Sequence, residues 1–197
     1  LQDAKSYSPY DMVYSEIYGM NQVSVQDVLH ILEKNGVTVE QVIQLPYIRD
    51  DVFNYLPVTE INRDFGCDYQ IQEGEILNLF QYNLEDGYEH NIQPVSTVTI
   101  SGDRKLQSVG TDVKILFNQN PTFADKTLII NDSDFEKLSA DITGSAGIAN
   151  LFQFQNWEDS YAGVCEVKEY LQESNQLNED EQTYYELSSK VEKYQDA

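Results

Sequence analysis

The chain has 197 residues, with 34 acidic against 12 basic side chains and a formal net charge of −22, and it is long enough for a hydrophobic core in one domain or one and a half. With 41% hydrophobic residues it is not a disordered acidic tail. The charge argues against nucleic acid, whose phosphates need Lys and Arg, and against a basic-patch contact with an anionic membrane; it favours cationic partners or plain solubility.

No apolar run approaches the roughly 18 residues of a membrane helix, and no signal peptide is present. The first residue is Leu1, not Met, which reads as a processed or excised piece. Cys67 and Cys165 are too few for a disulfide framework and, with His30 and His90 scattered, too few for a structural zinc site. Cys165, on an apolar helix face, is expected to be a buried free thiol, with a single Cys67–Cys165 disulfide left open.

From the N-terminus, Met12-Val13-Tyr14 reads as an incoming strand after Pro9. Ser24 to Lys34 is the clearest helix: Ser24 caps it, Asp27 sits three positions on, and Val28, Leu29, Ile31 and Leu32 form its apolar face. Asn35-Gly36 ends it. Val37 to Tyr55 reads as extended and broken by Pro46. Thr59 is expected to cap a short helix ended by Gly66; Glu73-Gly74 makes a turn before a strand from Glu75 to Phe80.

Asn83 to Asn91 is a polar loop around Asp86-Gly87. Val95 to Ile100 alternates as a strand, Ser101-Gly102-Asp103 turns it, and Lys105–Val109 and Val113–Phe117 are two further strands. Asn120 to Leu138 carries a turn at Pro121, a buried strand Thr127–Ile130, and a helix capped by Asn131-Asp132-Ser133-Asp134 with Phe135 and Leu138 on one face. Ile148–Phe154 is another strand. Asn156-Trp157 opens a helix with Tyr161, Val164, Cys165 and Leu171 at helical spacing, and Gln182–Tyr194 reads as a last amphipathic, stalk-like helix.

Signatures of chemistry are missing: no Gly-rich phosphate loop, G-x-S-x-G, H-E-x-x-H or C-x-x-C occurs. Asn131 to Asp134 starts like a calcium loop but lacks the glycine and glutamate that would follow, so capping is the better reading. No cofactor, metal ligand or catalytic residue is expected.

The order of elements resembles the large extracytoplasmic domain of permeases of the FtsX-like superfamily, in particular the bacitracin-export (BceB-type) subfamily of ABC transporters. The likeness is clearest from Val58 to Trp157: a short helix, Gly66 and a Glu-led apolar strand, then hairpins leading to Asn120-Pro121, then a strand, Asn156-Trp157 and a helix. It implies an α+β fold with a mixed or antiparallel sheet, several short helices and both termini at one end. Residues 1–197 would form one extracytoplasmic domain, with 1–18 and 182–197 near the membrane.

It also implies a non-catalytic sensor or substrate-interaction domain on the extracellular face of the cell membrane. The expected ligand is a cationic antimicrobial peptide or a lipid-linked cell-wall precursor. An ATP-binding subunit and a histidine kinase would be partners of the full permease.

Within that reading Tyr82, Glu85, Asp86, Tyr88 and Glu89 are the candidate ligand-binding residues, since carboxylates attract a cationic peptide and aromatic faces hold its Lys or Arg. The plain alternative for this loop is a solvated hairpin turn. The alternative function is a secreted carbohydrate-binding or hydrolase domain whose 14 Tyr would line a sugar site.

Overall fold

The computed structural model describes residues 9–17, 23–80, 93–114, 116, 126–141, 145–175 and 186–195. Its elements in chain order are β1 (Met12–Ile17), α1 (Val25–Lys34), β2 (Val39–Arg49), β3 (Phe53–Pro57), α2 (Val58–Phe65), β4 (Glu75–Phe80), β5 (Thr97–Ile100), β6 (Arg104–Val113), β7 (Lys126–Ile130), α3 (Asp132–Ala140), β8 (Ser145–Phe154), a 3-10 turn (Trp157–Asp159), α4 (Tyr161–Asn175), β9 (Glu186–Ser189) and α5 (Lys190–Gln195). The fold is mixed α+β, with strands hydrogen-bonded in the order β5-β6-β4-β7-β3-β2-β8-β1-β9. The chain divides into two compact units, Leu1–Gln44 with Gly147–Ala197, and Leu45–Ala146.

In the first unit β1 is flanked by β8 and β9, both antiparallel to it. The core gathers Met12 and Tyr14 of β1, Val28 and Leu32 of α1, Phe152 of β8, and Val164, Val167 and Leu171 of α4. α1 carries the expected capping box: the Asp27 amide donates to Ser24 Oγ, and the Ser24 amide donates to the Asp27 carboxylate. Trp157 packs against this core from the 3-10 turn that precedes α4. Val164 and Val167 take the inward positions, which leaves Cys165 half-buried between them. Cys165 and Cys67 are both free thiols.

Gly163 of α4 packs against the end of α1 and the residues that follow it. A Cβ there would meet Val37 Cγ2 at 2.8 Å and Leu32 Cδ2 at 3.4 Å. Val37 is branched and buried, so it has little room to yield. Gly163→Ala is therefore expected to destabilise by about 1–2 kcal/mol, the overpacking cost exceeding the helix-propensity gain. A chemical-denaturation midpoint measures it; a midpoint that rises would show that the two helices separate freely.

The last stretch differs from the expected single helix. Residues 182–185 lie outside the described residues; Glu186–Ser189 is a strand paired with Ser15–Met12 of β1, and Lys190–Gln195 is helical. A four-residue strand owes its existence to a partner distant in sequence, which local periodicity does not report. Ser189 Oγ then accepts from the Glu192 amide and caps the short helix. The first and last strands are thus neighbours. Asp11 and Lys190, at their ends, form a buried ion pair (Nζ to Oδ1, 2.9 Å), and the Lys190 amide donates to the Asp11 carbonyl.

The second unit is a mixed sheet: β5–β6, β4–β7 and β2–β3 are antiparallel, β4–β6 and β3–β7 parallel. β7 is buried from Thr127 to Ile130, as its continuous apolar run requires. Gly66 ends α2 at φ 64°, a left-handed conformation that glycine reaches at no steric cost. Ile48 of β2 and Val98 and Ile100 of β5 join Ile76, Leu106 and Leu128 in one core, with Phe135 and Leu138 of α3 packed on it. The two ends of this run of strands therefore share one interior, which α3 helps to close.

Three local expectations are corrected here. Pro46 does not break β2; it lies inside the strand, which pairs with β3 only further on, at Ile48 and Arg49. Thr59 does not cap α2: Pro57 is the cap position, without a side-chain bond, and the Thr59 hydroxyl donates to Asp132 instead. The strand expected at Lys105–Val109 does not stop there: β6 runs on to Val113 through a bulge that leaves Val109 without a partner in β4, while of the strand expected at Val113–Phe117 Lys114 and Leu116 are not in a strand and residues 115 and 117 lie outside the described residues.

Candidate functional site

The predicted ligand-binding residues Tyr82, Glu85, Asp86, Tyr88 and Glu89 lie outside the described residues. The chain on either side of them is well anchored. Phe80, the last residue of β4, pairs with Val113 and accepts from the Lys114 amide. On the returning side Asn78, buried in β4, accepts from the Val95 amide (2.9 Å) and donates to the Val95 carbonyl (3.0 Å) and to Ser108 Oγ (2.9 Å). One amide side chain thereby fixes where the loop rejoins the sheet.

A pocket of 240 Å³ opens in the second unit where two turns and the end of α3 converge. The β2–β3 turn supplies its first wall. Asp50 Oδ1 accepts from the amides of Val52 (2.8 Å) and Phe53 (2.7 Å), and Oδ2 accepts from the Tyr55 hydroxyl (3.0 Å). This is an Asx turn whose second oxygen is also used, so Asp50 is held rigidly.

The β5–β6 turn supplies the second wall. Ser101 (φ 46°) and Gly102 (φ 86°) both take positive φ within the three-residue connection from Ile100 to its partner Arg104. Ser101 is the only non-glycine residue in that region among those described, and its buried Oγ finds no hydrogen-bond partner among them. The third wall is the end of α3, with Leu138 and the exposed C-cap residue Asp141.

Its lining is apolar at Ile48, Ile100 and Leu138 and charged at Arg49, Asp50 and Asp141. No His, Cys or Lys is among its lining residues. A lining that mixes apolar side chains with a few charged ones is one that can hold a ligand.

Two further polar clusters stabilise the same unit. Asp134, fully buried at the start of α3, accepts from Arg104 Nε (2.7 Å) and from the Gly74 amide (2.7 Å). Glu73 joins Arg104 and Lys137 at the surface, and its hydrogen bond to Lys137 holds its carboxyl below the usual range. Elsewhere the Tyr69 hydroxyl donates to Asp112, with the Cys67 thiol nearby. Sequence reasoning read Asp134 as a helix cap and did not foresee Arg104, 30 residues earlier, as its partner. Among the described residues no group of three His, Cys, Asp or Glu is placed to hold a metal ion. Of the tyrosines, Tyr10, Tyr14, Tyr47 and Tyr55 belong to the core, while Tyr161 and Tyr170 are exposed on α4.

Burial, followed by the charge and hydrogen bond of Asp50, raises the Tyr55 hydroxyl well above its ordinary pKa; burial, then the bonds to Asp112 and Cys67, does the same for Tyr69. An unfolded tyrosine ionises near pH ~10. Above that pH the unfolded chain releases protons that the folded chain retains, so this stabilisation is present below pH ~10 and is lost as pH rises through the raised folded values. Thermal stability is expected to fall above pH ~10, and less steeply in Tyr55→Phe. Identical alkaline profiles for the two proteins would contradict this.

No family model matches the sequence, and neither the curated proteins nor the solved structures include a significant match to it.

Proposed function

We propose that the chain is the outward-facing sensor and substrate-interaction domain of an antimicrobial-peptide-resistance ABC transporter permease of the FtsX-like, BceB type. It is non-catalytic and takes a cationic cell-wall-active peptide, or the lipid-linked precursor that such a peptide binds. ATP hydrolysis belongs to a separate subunit, and the response passes to a histidine kinase.

One observation carries this reading. β1 and β9 are neighbours, and Asp11 and Lys190 at their ends are locked together by a buried ion pair and a backbone hydrogen bond. A domain inserted between two membrane-crossing elements needs its incoming and outgoing strands side by side, so that one fold can hang from both. The net charge of −22 adds a long-range attraction for cationic peptides, screened over about 8 Å at physiological salt.

The test is a resistance measurement in the cell that makes the protein. Cells carrying the intact gene, a deletion, or the combined Glu85→Gln, Asp86→Asn and Glu89→Gln variant are exposed to a cationic cell-wall-active peptide. The deletion is expected to lower the inhibitory concentration severalfold, and the variant to lower it partly and more strongly at low salt. Resistance indifferent to the deletion would refute the sensing role; a silent variant would remove the loop from it.

A further inference from the structure

From the pocket of the second unit and the open strand beside it, we infer that this unit docks a basic peptide segment in extended conformation, pairing its backbone with the free edge of β5 and seating one Arg or Lys side chain in the pocket.

β5 is the terminal strand of the sheet order, hydrogen-bonded on one side only among the described residues. The Ser108 amide donates to the Ser96 carbonyl, so the alternation of an antiparallel pair directs the N–H and C=O groups of Val98 and Ile100 inward to β6. Those of Thr97 and Thr99 are then directed outward. Both threonines are exposed, and β5 carries no Pro, Lys or inward charge of the kind that protects sheet edges. Main-chain pairing on such an edge supplies affinity, and pockets for alternate side chains supply selectivity.

The pocket lies where such a side chain would reach it. Thr99 and Ile100 of β5 line it together with Ile48 and Leu138. A long unbranched side chain can lay its methylenes on these apolar residues and keep its charged head by the carboxylates. The carboxylate offered there is that of Asp141, exposed and in no ion pair among the described residues. Asp50 adds negative charge from the opposite turn although its oxygens are already bonded. Arg49, already engaged within the fold, sets the limit at one cationic head. A ligand with an acidic head would meet two carboxylates for one guanidinium.

This inference rests on the peptide-sensing reading for its biological setting but is tested separately. The 197-residue chain is titrated calorimetrically with the probe acetyl-Thr-Val-Arg-Val-Thr-amide, with the same peptide carrying citrulline or Glu for Arg, and with a form N-methylated at alternate residues. The citrulline peptide is expected to bind about fivefold more weakly, as is the Arg peptide to Asp141→Asn, the range of an exposed ion pair. The N-methylated peptide is expected not to bind, and the Thr99 amide to gain protection from exchange with the Arg peptide but not with the N-methylated one.

Circular dichroism and the melting curve establish that Asp141→Asn is folded. Equal binding of the Arg, citrulline and Glu peptides, or no loss on N-methylation, overturns the docking site. If the Arg peptide binds as described while deleting the gene leaves resistance unchanged, the site stands and the sensing role falls. If resistance depends on the gene while charge at the pocket is irrelevant, only the docking site falls.

Discussion

Asp11→Ala is expected to destabilise the first unit by about 3–5 kcal/mol, because it breaks a buried ion pair and strands the partner charge. Asp11 and Lys190 are both under a tenth exposed. The carboxylate does two jobs: Oδ1 accepts from Lys190 Nζ (2.9 Å) and Oδ2 from the Phe154 amide (2.7 Å). It therefore ties the start of β1, the end of β8 and the start of α5 to one point. A loss of this size is a large part of a typical domain's stability, about 5–15 kcal/mol. The companion variant separates charge from geometry. Asp11→Asn with Lys190→Met keeps an acceptor for the Phe154 amide and fills the lysine's aliphatic volume, and should return to within about 1–2 kcal/mol of the parent chain. Denaturant midpoints decide it: a mild single variant, or a double variant no better than the single one, would mean the pair is not what joins the two strands.

Asp134→Ala is the second large effect, expected at about 2–4 kcal/mol in the second unit. Removing the fully buried carboxylate leaves the Gly74 amide without its acceptor and Arg104 without its closest partner. The loss sits at the lower end of buried-pair values because Arg104 is one-third exposed, so water can take up part of its charge. Asp134→Asn should cost less, since one acceptor survives. Hydrogen exchange at Gly74 reads the effect locally: its amide should become at least about tenfold less protected in Asp134→Ala. Unchanged exchange would show that another group satisfies it.

Much of the fold could be read locally. Ser24 with Asp27, Asn35-Gly36, Gly66, the buried run Thr127–Ile130 and the Asn131 cap each state their structure within a few residues, and each forms as expected. What escaped is what depends on partners far along the chain. β9 exists because Glu186–Ser189 meets β1, more than 170 residues earlier in the chain. β6 stays whole because a bulge opposite Ile76–Leu77 absorbs one residue, while the sequence around Gly110 reads as an interruption.

The pocket had no sequence signature at all. Its lining runs from Ile48 to Asp141, and nothing in one segment announces that the Asp50 turn, the Ser101-Gly102 turn and the end of α3 converge. The loop singled out by its composition, Tyr82 to Glu89, is recognisable only as charge and aromatic content, which many solvated loops share.

The placement of the chain outside the cell, held by membrane elements on both sides, is the claim on which the functional reading turns. Antibodies raised against the 197-residue chain test it most directly, on intact cells and on fractionated lysates of the organism that makes the protein. On the proposed reading the expected result is labelling of intact cells, loss of that labelling on external protease treatment, and recovery of the untreated protein in the membrane fraction until detergent is added. Labelling only after lysis, or recovery of the protein in the soluble fraction, would contradict it.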